Sequence, residues 1–496
     1  MSRAAPGAPD GGADGGTGGS GTTQREDAVG PSVVVVGDGA AGVLTVTALL
    51  ERATAAGAPL RVEWVGDGAR GRGVAYASTA PWHRLNVPAA AMSVGGGPDD
   101  PAGFPRWLAA HGVALPDGDD FVARHDYGSY LLDRLGTAHA AARAAGCAVL
   151  REHRGRATAL AVDATGVRVT VGGGAGGNPG VDVRAGRAVL ATGVPTHMPL
   201  PNLTAAAARH PRLVADPWGG RLEEVTGGSV LLVGTGLTMV DTALSLARRL
   251  PGVTLRAVSR SGLLPHRHLR DREEPEKPAV RPRPGLTLDE VVAAVEARVA
   301  AAPQRWRAVL DGLRPVTQEL WRTLSPADRE RFLREYEPAW LRHRSRVAPA
   351  VAEEVDALRR AGRLRVGSAS VEEIDAAGER LRVRLARRGG RTEDVTPDWV
   401  VACTGVQFDL RRVADPLVVG LLRDGLGRSH PLGLGLDCAP DGALLTAAGP
   451  SDRLHTLGSL RRGDLYETIA VAEIAQQAAE LAGTLVARAA DRVPAG

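Results

Sequence analysis

Apolar and polar positions along this chain follow an order that occurs twice. Val33–Val36 is a β-branched run without a polar break, the pattern of a strand buried on both faces of a parallel sheet. It passes straight into Gly37-Asp38-Gly39-Ala40-Ala41-Gly42 and then into a helical stretch. A second strand is expected over Arg61–Val65. Residues 157–190 alternate apolar and polar around Gly and Asp turns, which reads as a β-meander feeding back into the sheet. The meander closes on Ala191-Thr192-Gly193, with Pro195 and Pro199 beyond. SVLLVGTGLTMVDTALSL then begins the order again: strand, Gly234-Thr235-Gly236, helix. VTLRAVSR supplies its second strand, LRVGSASVEEI and RLRVRLARR its meander, and DWVVACTG its closing strand. Thr404-Gly405 thus stands where Thr192-Gly193 stands in the first half. Gly37 to Gly193 spans 156 residues and Gly234 to Gly405 spans 171, an internal repeat of pattern.

Residues 287–362 break the alternation and read as helical. Thr287-Leu288-Asp289-Glu290 is a capping box, in which side chain and backbone satisfy each other at a helix start. Leu288, Val292, Val295 and Val299 then share one helical face. Ser325-Pro326 starts another helix with proline at its first position. The expected architecture is α/β, with two Rossmann-like dinucleotide-binding domains, β-meanders and a helical insertion in the second domain. The expected boundaries are a disordered tail over 1–30, a first domain over 31–215, and a second over 225–400 with the insertion at 287–362. The chain would return to the first domain over 401–485. The tail is rich in Gly, Ala and Asp, too poor in apolar surface to order itself, and it lacks the apolar stretch of a secretory signal.

Composition removes several kinds of chemistry. The chain has 496 residues, 44% hydrophobic and 23% charged, an ordinary globular balance for two large domains or three ordinary ones. Cys147, Cys403 and Cys438 are odd in number and far apart, so a disulfide framework, a C-x-x-C pair and a Cys-rich zinc site are excluded. Lys277 is the only lysine and lies in a Pro-rich loop, which argues against Schiff-base chemistry. A net charge of +4 with mixed signs gives no nucleic-acid surface. No apolar run reaches the ~20 residues of a membrane span, so a soluble, cytoplasmic protein without membrane contact is expected. No G-x-S-x-G elbow or hydrolase triad appears. His266-Arg267-His268 has no carboxylate or thiolate at metal spacing, so no metal site is expected. Arg342-His343-Arg344-Ser345-Arg346 reads as a solvated helix face, with an anion site as the alternative.

The glycine motifs carry the chemistry. Strand, G-x-G-x-x-G and helix in that order form the context of the dinucleotide fingerprint. Gly37 permits the tight turn, Gly39 leaves room for a pyrophosphate, and Gly42 lets the helix lie close to the strand. The free amides at the helix start, around Ala40 and Ala41, favour phosphate. At the end of the second strand Asp67 is the candidate ribose carboxylate, with Glu63 inside the strand as the alternative and a plain turn residue as the simpler reading. The second motif supplies Gly234, Gly236, Leu237 and Thr238, but Met239 occupies the position where glycine or alanine is usual. Its helix is expected to stand farther from the strand. Beyond the next strand lies Ser259-Arg260. An arginine there can fork onto a 2′-phosphate, favouring NADPH with NADH as the alternative; otherwise it is an ordinary surface arginine. Two such folds imply two dinucleotide cofactors.

GDGAAG, GRGVAYASTAPWHRLNVPAAAMSV, DDPAGFPRWL, FVARHDYGSYLLDRL, ATGVPTHMP, GTGLTMVD, VSRSGLLP, HRSRVAP and RRGDLYETIAVAEIAQQA together resemble the FAD/NAD(P)-binding protein family. That family is related to flavin-containing monooxygenases and N-hydroxylases. The resemblance runs from about residue 32 to 482. It implies FAD on the first fold, NAD(P)H on the second, and a C-terminal return that completes the first. Leu85-Asn86-Val87-Pro88 parallels an asparagine-bearing stretch of flavin monooxygenases, so Asn86 is implied to be catalytic, beside flavin N5 and the nascent hydroperoxide; an asparagine capping a turn is the plain reading. Gly463–Thr468 would open a helix of about 465–482 aimed at the flavin pyrimidine, with Thr468 and Asp464 near the ring. Gly458 ends the preceding strand, but Ser459 follows it where relatives place an acid, and Asp464 comes later. Arg124, Tyr127 and Tyr130 match the family pattern and read as packing within the FAD domain. The implied function is an FAD-dependent, NAD(P)H-using monooxygenase that hydroxylates a small molecule with molecular oxygen through a flavin C4a-hydroperoxide. A purine such as urate, a natural-product intermediate or a free amine would suit it. The alternatives are an NAD(P)H:acceptor reductase without oxygenation and a non-catalytic dinucleotide binder, which Met239 favours.

Overall fold

The computed structural model describes residues 31–490 other than 69–70, 95–101, 116–119, 173–179 and 195–196. The tail expected over 1–30, and Pro195, lie outside the described residues. Ser32–Val36 lies inside a six-stranded sheet, with Val33 to Val36 all buried, as an unbroken β-branched run requires. The sheet order is Ala443–Thr446, Gly449–Thr456, Arg187–Leu190, Ser32–Val36, Leu60–Gly66, Ala148–Arg154. Every pair is parallel except the first. A second sheet, parallel throughout, runs Leu364–Ser368, Thr254–Ser259, Ser229–Val233, Trp399–Ala402, Leu213–Val214.

The repeat read from the pattern is thus a repeat of position. In both sheets the glycine-turn strand lies between the second strand and the closing strand. In both, the third strand leads into a three-stranded antiparallel meander, over 156–185 and 370–395. The strand beyond the closing strand is exchanged. The chain leaves the first sheet at Leu190, lays Leu213–Val214 beside Val400 and Val401 of the second, and returns over 443–456 to the first. Residues 213–214, expected in the first unit, therefore pair in the second. A two-residue edge strand carries no pattern of its own.

Helices Ala40–Ala56, Arg124–Ala144 and Val471–Ala490 share one apolar core on one face of the first sheet. Its meander shares a second core with the other face. Between Thr254–Ser259 and Leu364–Ser368 the chain forms the helical insertion, from Leu288–Ala301 to Pro349–Arg360. Its capping box is closed: Thr287 Oγ1 accepts from the Glu290 amide at 3.3 Å and Glu290 Oε2 accepts from the Thr287 amide at 2.9 Å. Ser325 caps a later helix, Pro326–Arg331, at the Asp328 amide, with Pro326 first.

Two expectations are corrected. The helix expected over about 465–482 is a short turn, Arg462–Leu465, and a separate helix, Val471–Ala490. Tyr466 breaks it at φ +57°, a conformation rare for a non-glycine residue. Stacking of its ring on Trp321 at 4.8 Å and a bond from its hydroxyl to Glu337 at 3.2 Å hold it there. The basic cluster at 342–346 is not a solvated face. Arg346 is 2% exposed, grips Asp311 through both carboxylate oxygens at 2.8 and 2.9 Å, and lies over Trp306. Partners far away in sequence remove these arginines from water. Among the described residues no helix is long and apolar enough to cross a membrane.

Candidate functional site

The first glycine turn is built by close backbone contacts. The Gly37 amide donates to Val65 O and the Ala191 amide to Val36 O, both at 2.8 Å. Gly37 has φ +118°, and a Cβ on it would lie 2.7 Å from the Ala191 carbonyl carbon. A Cβ on Gly42 would overlap the Gly37 carbonyl, so the helix presses directly onto the turn. Trp64 Nε1 donates to that same carbonyl at 2.9 Å. Gly39 is the opposite case, since a Cβ there would meet only Gly73 Cα, at 3.7 Å. Two facing glycines therefore keep the start of helix Ala40–Ala56 free of side chains, and their backbones approach so closely that a Cβ on Gly73 would lie 2.9 Å from Gly39 Cα. Gly39 caps that helix without any side-chain hydrogen bond, and no acidic residue occupies its first turn. Unspent amides at a bare helix start suit a phosphate.

Other candidates meet at this helix start. A Cβ on Gly458 would lie 3.9 Å from Ala41 Cβ, and one on Gly193 3.7 Å from Ser459 Oγ. The returning C-terminal strand thus ends against the first helix. Thr192 Oγ1 turns onto the Gly193 carbonyl at 3.0 Å. Thr468 is a fully buried strut: its hydroxyl donates to Gly458 O at 3.0 Å and accepts from Gln477 Nε2 at 2.8 Å, while Gln477 Oε1 accepts from the Gly458 amide. Asp67 is exposed at the strand end. Its loop is held by Asp38, whose carboxylate accepts from the Gly68 amide at 2.9 Å and whose carbonyl accepts from the Gly71 amide. Glu63 is committed to Arg61 at 3.0 Å and His153 at 2.6 Å, so Asp67 remains the candidate for ribose.

The second turn follows the same plan. The Gly234 amide donates to Val258 O at 2.8 Å, and a Cβ on this residue, at φ +122°, would lie 2.7 Å from the Cys403 carbonyl carbon. Gly236 has nothing within 4 Å of a built Cβ and caps its helix without a side-chain bond. Leu237 and Thr238 begin that helix. Met239, at the place of Gly42, is fully buried in the second core. Ser259 is a loop strut, bonded to Thr235 Oγ1 at 2.8 Å and accepting from the Gly262 amide. The Arg260 side chain is exposed and has no partner among the described residues, while its carbonyl accepts from Ser368 Oγ. Thr404 and Gly405 clasp Met198: the Thr404 hydroxyl donates to Met198 O, and the Met198 amide donates to Gly405 O.

A cavity of about 290 Å³ lies where the first fold, the second glycine helix, the insertion and the C-terminal return meet. Asn86 and Arg124 line it from the first fold, Leu237 from the second glycine helix, Arg344 from the insertion, and Glu467 and Thr468 from the C-terminal return. His268 Nε2 donates to the Asn86 carbonyl at 3.0 Å. Burial, with Arg346 nearby, pushes His268 down to about 4, so it is a neutral donor at physiological pH. The Asn86 side-chain amide makes no hydrogen bond among the described residues. Arg124 donates to Asp241 at 2.6 Å and to Arg84 O at 3.1 Å. It therefore ties the first fold to the second glycine helix, a larger role than packing. Tyr127 and Tyr130 do pack, in an aromatic cluster with Phe104. His83 adds a second tie, to Ser245 at 2.7 Å. The charges around the cavity are paired: Arg344 with Glu467 and Arg314 with Glu473, each at 3.0 Å, and Arg462 with Glu337 at 2.7 Å.

Asp464 does not line this cavity. It faces His430 and Asp437, the ligand atoms of the three lying within 4.8 Å of one another. Burial pushes its carboxyl up to about 7. His430 Nδ1 already accepts from the Leu432 amide and Arg428 holds Asp437 at 2.6 Å, while Asp464 Oδ2 is buried with no hydrogen-bond partner among the described residues. Sequence reading missed Asp38, Gly73, Asp241 and His268. The only signal for them was negative: His268 had no metal partner, and Asp38 sat inside the glycine motif.

Residues 34–195 match a family model described as FAD-NAD(P)-binding. No curated protein matches the chain in sequence. The ornithine hydroxylase of Pseudomonas aeruginosa, in its reduced form, is similar in fold at 18% identity and a TM-score of 0.63, over 92% of this chain and 99% of that one. The ornithine N-hydroxylase of Kutzneria sp. 744, solved with FAD, NADP+ and L-ornithine, aligns at 15% identity and TM-score 0.61, over 93% and 99%. The bacillithiol disulfide reductase of Bacillus cereus aligns at 14% and 0.51, over 92% and 99%. The chain thus has the two-domain α/β fold of FAD- and NADPH-binding flavoprotein monooxygenases.

Proposed function

We propose that this chain is an FAD-dependent, NADPH-using monooxygenase acting on a small organic molecule with molecular oxygen. The observation that carries the reading is the Asn86 cavity, which joins the first fold to the second glycine helix at Leu237 and is ringed by paired charges. Gly37–Gly42 and Gly73 would hold the pyrophosphate of FAD, with Asp67 on its ribose and Gly193, Gly458 and Ser459 along its length. Gly234–Thr238 would hold the pyrophosphate of NADPH, and Arg260 its 2′-phosphate. When bound, the flavin supplies hydride acceptance and the activation of oxygen.

The remaining work falls to this chain. Asn86 presents an unspent amide to the reacting centre, and His268 fixes its backbone. Paired carboxylates and guanidiniums leave no free charge to draw water in, and a dry site strengthens each remaining polar contact. Arg124 and Asp241 hold the Asn86 side of the cavity against the helix that begins at Leu237. A disulfide-reducing activity, as in the Bacillus cereus relative, fits less well: Cys403 and Cys438 are buried and unpaired, and burial pushes both thiols up, Cys403 to about 12.

The test is stopped-flow absorbance of the purified protein. A flavin spectrum that NADPH bleaches without oxygen, and that returns with oxygen plus one product per NADPH, is expected. A colourless protein that cannot be reconstituted with FAD overturns the reading. NADPH oxidation that yields only peroxide or reduced acceptor across a metabolite panel favours a reductase.

A further inference from the structure

The helical insertion encloses a second cavity, of about 490 Å³, within the size range of small-ligand sites. Val292, Val295 and Val299 share one helical face with Leu288. Only Leu288 is buried, and the three valines stay partly exposed because they face this cavity. Leu310, Leu313 and Leu320 line the other side. Apart from Glu296, which is exposed, the lining has no acidic side chain.

The two ends differ. At one, His266, His343 and Trp306 pack ring against ring at 4.6 to 5.0 Å. His266 Nε2 is buried with no hydrogen-bond partner among the described residues. Burial and the nearby Arg342, His343, Arg307 and Arg346 push His266 down to about 4, so it is a neutral imidazole with a free polar atom. At the other end Tyr466 and Trp340 line this cavity and also the Asn86 cavity. They are the partition between the two.

We propose that the insertion cavity is the substrate site, and that it takes an uncharged, mainly apolar molecule with one hydrogen-bonding group at His266 and its far end reaching past Tyr466 and Trp340 to Asn86. This rests on the monooxygenase reading and adds its substrate class. Away from Glu296 at the exposed edge, the ammonium of a diamine or a basic amino acid would lie unpaired among leucines, valines and tryptophans, and the His266 end is close to Arg307, Arg342 and Arg346. Desolvating such a charge without a partner costs far more than the apolar contacts return.

The test uses the FAD-loaded full chain with 2-octanone as the uncharged probe and L-ornithine as the cationic control. Trp306, Trp321 and Trp340 line the cavity, so 2-octanone is expected to change tryptophan emission saturably and L-ornithine to leave it unchanged. Val295→Trp fills the cavity and is expected to weaken 2-octanone binding at least tenfold by calorimetry, at unchanged FAD content. Should Val295→Trp fail to retain FAD, Val299→Phe gives the same readout at the cavity edge. Wild-type affinity in a folded filled variant, or saturable L-ornithine binding without 2-octanone binding, overturns the inference. Saturable 2-octanone binding that the filled variant loses supports the site even if no substrate couples NADPH to oxygenation, which would overturn only the monooxygenase reading.

Discussion

Replacing Gly42 with alanine tests whether close packing of the first helix on its turn makes the dinucleotide slot. A Cβ at position 42 would overlap the Gly37 carbonyl oxygen and lie 2.8 Å from its carbon, where ordinary contact begins near 3.4 Å. The helix or the turn must therefore retreat by at least about 0.6 Å, the difference of those two distances. Neither side can give cheaply. Both contacts are backbone, and the same carbonyl is pinned by Trp64 Nε1 at 2.9 Å. Overpacking of this kind costs about 1–3 kcal/mol. If that cost falls on the bound form, FAD affinity drops roughly 5- to 140-fold, at about 1.4 kcal/mol per tenfold. The assay is titration of stripped protein with FAD, followed by quenching of flavin fluorescence, with circular dichroism as the folding control. A folded Gly42→Ala protein with wild-type FAD affinity would refute the argument. Met239 at the equivalent place makes the contrast: Met239→Ala is expected to cost about 2–5 kcal/mol of stability through its cavity.

Asp241→Ala leaves the Arg124 guanidinium without its carboxylate at a largely buried contact. A loss of about 3–5 kcal/mol is expected, seen as a lower calorimetric Tm, with Asp241→Asn losing less; an unchanged Tm counts against the bridge between folds. Arg260→Ala is expected to cut the kcat/KM preference for NADPH over NADH roughly tenfold or more, since a charge-assisted bond is worth about 1.5–3 kcal/mol; NADH turnover should stay level. His268 is held near 4 in the folded chain and titrates near 6.5 when unfolded. Between those values the unfolded chain binds the extra proton, so stability falls as pH drops from about 6.5 to about 4. Asp464, held up to about 7, acts in the opposite sense above its unfolded value of about 3.9. Urea unfolding of His268→Gln beside the wild type isolates the histidine slope, which should be shallower in the variant; equal slopes would be evidence against a neutral His268.

The elements were legible where their cause is local. Val33–Val36 reads as a buried strand because four β-branched residues in a row have no polar face to offer. The glycine turns read as turns because Gly37 and Gly234 need a left-handed backbone and a carbonyl's close approach. Thr287 and Glu290 cap each other within one turn of chain. Tyr466 was not legible: its left-handed break is imposed by Trp321 and Glu337, more than a hundred residues away. Arg346 reads as a surface charge until Asp311 and Trp306 close over it.

By itself the sequence determined the two α/β folds, their order along the chain and the backbone positions of the two glycine turns. These follow from periodicity and from the steric demands of single glycines, which neighbours in sequence settle. Only the tertiary structure decided that residues 213–214 and 443–456 are exchanged between sheets, that His268 steadies Asn86, and that the valine face of helix Leu288–Ala301 lines a cavity. Those depend on which surfaces meet, and on whether a meeting side chain fills the space or leaves it open.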